Sequence, residues 1–105
     1  GGRVGQTIGT GKLDASAVRD EVRKRTPGLQ RLFIDAVRKN PGLHGRIEVR
    51  ITVGVSGRAR VEVTSDRIGD AAFASALKRK IASWRFPKPK GGEVSFKVPF
   101  TFRAI

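Results

Sequence analysis

The stretch Gly45–Val63, GRIEVRITVGVSGRARVEV, decides the fold. From Arg46 to Val53 polar and apolar residues alternate strictly, Arg46, Glu48, Arg50 and Thr52 against Ile47, Val49, Ile51 and Val53. After Gly54-Val55-Ser56-Gly57 the alternation resumes, with Arg58, Arg60, Glu62 and Thr64 on one side and Ala59, Val61 and Val63 on the other. Side chains of a strand point to opposite faces with a period of two, so this is a β-hairpin with one buried face. Its turn carries two glycines, which take the positive φ that a tight reversal needs.

A third strand follows from the same pattern at the other end of the chain. Val94, Phe96, Val98, Phe100 and Phe102 face inward, and Glu93, Ser95, Lys97, Pro99 and Thr101 outward. Proline has no N–H for a ladder and is confined to edge strands and bulges, so Pro99 marks this strand as an edge. A helix-length segment separates it from the hairpin. Antiparallel pairing with the first strand then gives the order 2-1-3, with helices covering one face: an α+β two-layer sandwich with a three-stranded antiparallel sheet.

The covering helices are read from period 3.6. Asp14 stands at an N-cap, before Ala15, Val18 and Val22. Beyond Thr26-Pro27, Leu29, Leu32, Phe33, Ala36 and Val37 form a broad apolar stripe that Pro41-Gly42 ends. The two stripes are in phase, so one kinked helix fits; the proline favours two helices meeting at Pro27. Gly69-Asp70 opens the last helix, with Phe73, Ala76, Leu77, Ile81 and Trp84 on one side. Residues 85–92, RFPKPKGG, read as an extended connector. Gly1–Gly11 is glycine-rich and reads as a flexible lead-in, leaving 12–105 as the domain.

Composition bounds the function. With 38% apolar and 30% charged residues among 105, the chain is one globular domain. No apolar run approaches the ~20 residues that span a bilayer. The absence of methionine leads us to expect that the sequence is part of a longer protein. Without cysteine there are no disulfides and no thiolate metal sites. The net charge of +13, from 22 Lys+Arg against 9 Asp+Glu, predicts attraction to polyanions unless it is simply a solvated basic surface.

Candidate chemistry is sparse. His44 is the single histidine and lies in a glycine-flanked loop, a poor setting for a general base or a metal ligand. Asp66 and Asp70 stand where capping accounts for them, and Gly9-Thr10-Gly11-Lys12 lacks the spacing and preceding strand of a phosphate loop. No enzyme, metal or cofactor is expected. A sheet that binds nucleic acid stacks bases on aromatics of its open face, whereas Phe96, Phe100 and Phe102 share the core parity. The open face instead shows Arg46, Arg50, Arg58 and Arg60 interspersed with Glu48 and Glu62, a basic surface that cross-strand ion pairing explains at least as well as phosphate binding. The site that the pattern does offer is the open edge of the last strand, Glu93, Val94, Ser95, Phe96, Lys97 and Val98, before the blunting proline.

Several segments, taken together, carry a resemblance. GRIEVRITV, the Gly57-Arg58 turn, VEVTSD, a helix closing on Trp84-Arg85-Phe86-Pro87 and the final Val98-Pro99-Phe100-Thr101-Phe102 resemble the C-terminal domain of TonB, the periplasmic energy transducer of Gram-negative bacteria. The resemblance runs from about Leu29 to Phe102. Gly11-Lys12-Leu13, Asn40-Pro41-Gly42-Leu43-His44-Gly45 and Phe86–Gly92 bring it nearest to the TonB-like domains that close myxobacterial gliding-motility proteins of the AgmX/PglI type.

The resemblance implies a periplasmic domain of an inner-membrane-anchored parent. Such a domain binds an extended segment of an outer-membrane or periplasmic partner beside the last strand and transmits force. Peptidoglycan or another polyanion is the alternative partner; nucleic acid is not expected. Many such domains carry a cysteine pair, at positions that match Leu32 and Ala76, so those two residues are expected close together. The Tyr-Pro segment by which TonB touches its receptors has no counterpart near Arg31 to Asp35.

Overall fold

A computed structural model describes residues 7–9 and 13–103. The elements run β1 (Thr7–Gly9), α1 (Ala15–Lys39), β2 (His44–Val53), β3 (Ala59–Asp66), α2 (Ala71–Ala82) and β4 (Val94–Arg103). The predicted three strands form the body of an antiparallel sheet in the predicted order, β3-β2-β4, and β1 adds a short fourth strand outside β4. Both helices cover one face, giving the α+β two-layer arrangement.

The period-two residues do what their spacing requires. Ile47, Val49, Ile51 and Val53 of β2 and Val94, Phe96, Val98, Phe100 and Phe102 of β4 are all buried. On the helical side Val18, Val22, Leu29 and Phe33 of α1 and Phe73, Leu77 and Ile81 of α2 close over them. One aromatic triad ties the layers together. Phe33, Phe73 and Phe102 have ring centroids 5.2–5.6 Å apart, with Phe73 edge-on to the other two.

Two expectations are corrected. The first helical region is one helix, α1, with Pro27 inside it. An interior proline costs about 3 kcal/mol. Against that, the in-phase stripe buries Val18, Val22, Leu29 and Phe33, each contributing about 1.5–3 kcal/mol. Packing therefore outweighs the local break. Pro27 and Arg23 are both exposed, so the break lies on the solvent side of α1, and Thr26 Oγ1 donates to the Val22 carbonyl at 2.6 Å in the adjoining turn.

The second correction concerns the lead-in. Thr7–Gly9, expected to be flexible, pairs antiparallel with β4 in the register Thr7↔Phe96, Ile8↔Ser95 and Gly9↔Val94. Unpaired backbone groups along β4 give an adjacent extended segment a reason to order, and Thr7-Ile8 are both β-branched. The rest of that lead-in, including 10–12, lies outside the described residues.

The connector is also more tightly held than its prolines suggested. Phe86 N–H donates to the Gly57 carbonyl at 3.1 Å, and Arg58 and Arg85 form an isolated antiparallel bridge. Trp84 and Phe86 are buried, their rings 6.3 Å apart, with Phe96 next to Phe86 at 5.8 Å. The Trp84-Arg85-Phe86 sequence thus clasps the hairpin turn to the core, with the arginine left outside.

Candidate functional site

The direction of each backbone group along the sheet follows from two hydrogen bonds. Arg67 N–H donates to the Arg46 carbonyl, and Gly54 N–H donates to the Arg58 carbonyl. Residues of β2 with even numbers therefore turn their backbone groups toward β3, and those with odd numbers turn toward β4. Ile47, Val49, Ile51 and Val53 stand opposite Phe100, Val98, Phe96 and Val94. Those four β4 residues are bonded to β2, and the alternate ones, Ser95, Lys97, Pro99 and Thr101, present N–H and C=O to the outer edge.

Each outer position can now be assigned. Ser95 is opposite Ile8, so its backbone groups are engaged by β1. Lys97 lies beyond the last described residue of β1 and keeps an open donor and acceptor among the described residues. Pro99 offers a carbonyl and no N–H, and it does so where the lack harms no ladder with β2. Of the expected edge, then, Val94–Phe96 is covered by the chain's own segment; among the described residues nothing pairs with the outer side of Lys97, and Val98 turns its backbone to β2.

Side chains on the open face complete the site. Ser95 Oγ and Thr52 Oγ1 are 2.7 Å apart and join β4 to β2. Glu93 accepts from Arg60 Nη2 at 3.2 Å, across the intervening β2 strand. Lys97 is opposite Arg50, which is opposite Glu62, so a row of two cations and one carboxylate crosses three strands. Arg46 is exposed opposite Thr101, and Arg58 is exposed at the hairpin end.

The expected pattern of cross-strand ion pairs reduces to one. Among the described residues, Arg60 is the arginine of the four basic-surface positions that reaches a carboxylate, and its partner is Glu93 rather than Glu62. Glu48 is engaged instead by the Thr64 hydroxyl, which donates to its Oε1 at 2.8 Å and its carbonyl at 3.2 Å. Thr64 is the extra residue of a β-bulge, where Glu48↔Ser65 is followed by Val49↔Val63.

The chain matches no family model, no curated protein and no solved structure.

The other candidate groups have local roles. His44 Nδ1 lies 2.9 Å from the Gly42 carbonyl. Asp66 Oδ1 accepts from Ile68 and Gly69 N–H, and Asp70 Oδ1 accepts from Phe73 N–H at the start of α2. Leu32 and Ala76 line one groove of about 160 Å³ between α1 and α2, together with Asp35 and Phe73. What sequence reasoning missed is β1. Three residues within a glycine-rich run show no periodicity, and the signal that could have found them was the β-branched pair Thr7-Ile8.

Proposed function

We propose that this is a non-catalytic, TonB-like periplasmic domain of a trans-envelope protein of the gliding-motility kind. Its parent is anchored in the inner membrane. It binds an extended segment of an outer-membrane or periplasmic protein by strand addition along the outer edge of β4, and it passes force between the two. One observation carries the reading: this edge takes an antiparallel strand, because the chain's own Thr7–Gly9 is seated on it. Backbone bonds at Ser95 and Lys97 supply affinity, and the net charge of +13 favours an acidic segment and speeds its encounter.

The test uses the outward direction of Lys97. In Lys97→Pro the lost N–H is turned to the incoming strand and is not the one that Ile8 faces, so the β2–β4 ladder keeps its donors and the Ile8↔Ser95 pairing is untouched. Peptide affinity should fall about tenfold or more, the scale of one backbone bond lost with its partner left unpaired. Lys97→Ala should weaken binding by no more than a few fold, since side-chain charge at an exposed edge is worth little. Equal affinity of Lys97→Pro and the parent would sink the reading.

A second reading, attachment to peptidoglycan or another polyanion, is favoured by Arg46, Arg50 and Lys97, which have no ion-pair partner among the described residues. Salt separates the two. Polymer binding should collapse between 50 mM and 500 mM NaCl, and strand addition should largely persist.

A further inference from the structure

The β4 edge holds a strand already, and the geometry of what it leaves vacant is restrictive. Outward-facing positions recur every second residue, so the edge from Ser95 onward offers Ser95, Lys97, Pro99 and Thr101 in turn. Ser95 is engaged by Ile8. Pro99 has no N–H. Beside the described β1 residues, a segment that left them in place would gain at most the two bonds at Lys97 and then meet the proline. A segment in the favourable register, along Glu93–Val98, collides with Thr7–Gly9.

We infer that Thr7–Gly9 is a built-in competitor for the peptide-binding edge, and that a partner binds by displacing it; this rests on the strand-addition reading above. Two features make the occupant suited to exchange. β1 has three residues, against ten pairs between β2 and β4, and in this register one of its residues, Ile8, directs its backbone toward β4. Among the described residues, leaving therefore breaks one pair of bonds, which a longer acidic segment replaces while extending along the edge past Phe96. The chain's own strand also keeps an open edge covered until a partner arrives, which limits edge-to-edge association.

The consequence is an affinity set by two terms. Apparent affinity equals the intrinsic affinity of the vacant edge multiplied by the fraction of molecules in which β1 has left. Removing the competitor should raise it without any change to the residues that touch the partner.

Ile8→Pro removes the N–H that faces Ser95, and lies outside β4 altogether. The probe is a synthetic octapeptide of alternating Glu and Val, followed by ¹H–¹⁵N NMR titration of parent and variant. The expected result is binding about tenfold tighter to Ile8→Pro, with the largest shifts at Val94–Val98 in both proteins. Thr7→Gly/Ile8→Gly, which keeps every N–H but disfavours a strand, should move affinity in the same direction. Equal affinity of parent and both variants at this edge would overturn the competitor and leave strand addition standing. If the peptide shifts no residue of β4 in any of the three proteins, the strand-addition reading falls and takes the competitor with it.

Discussion

Gly57 and Gly28 show how differently one residue type is used. Gly57 has φ +86°, and a Cβ there would lie 2.6 Å from the Phe86 carbonyl oxygen, the atom's own residue being clasped to Gly57 by a hydrogen bond. Gly57→Ala meets both a strained backbone and an immovable neighbour, so it should destabilise the chain by about 2–3 kcal/mol. Gly28 sits inside α1, where a Cβ would rest 3.6 Å from Lys80 Cε at ordinary contact distance. Gly28→Ala should therefore stabilise by about 0.5–1 kcal/mol through helix propensity alone. Urea unfolding of both variants checks the pair. A Gly57→Ala chain as stable as the parent would mean that the connector is not held against the hairpin turn as described.

At the scale of elements, α1 poses a contest between a local signal and a distant one. Pro27→Ala returns a donor to the Arg23 carbonyl and relieves the ring clash, worth about 3 kcal/mol, while freeing the unfolded chain by about 0.4–1 kcal/mol. A net gain of about 2 kcal/mol in denaturant unfolding is expected. No gain would indicate that the helix is already interrupted at this residue. The same contest explains what could be read from sequence. The hairpin and β4 were legible because alternation over eight or more residues admits one interpretation, and Pro99 correctly flagged an outward-facing backbone. Helix α1 was misjudged because Pro27 speaks locally, whereas Leu29 and Phe33 answer to a sheet assembled from residues far along the chain. The clasp of Phe86 on Gly57 and the pairing of Ile8 with Ser95 join residues 29 and 87 positions apart, and no short-range pattern encodes either. The candidate edge was legible for the same reason as its strand; that it is partly covered was not.

For the whole molecule, the ladder between β2 and β4 has a mechanical meaning. Ten residue pairs, from His44↔Arg103 to Val53↔Val94, hold the two strands in parallel alignment of their axes, with the hydrogen bonds perpendicular to both. A pull along the strand axis loads all of those bonds together in shear. A pull across the sheet opens them one at a time from an end. Any load delivered to β4 along its length is thus shared by the buried core, whereas a three-residue strand such as β1 has few bonds to share it. Single-molecule stretching with handles at positions 46 and 94, set to shear β2 against β4, should need a markedly higher rupture force than handles at 46 and 101, set to peel them apart. Equal forces in the two geometries would mean that the core, rather than the ladder, yields first. If the ladder governs, the domain is strong in one direction and compliant in another, so the angle at which a tether arrives decides whether the fold withstands it.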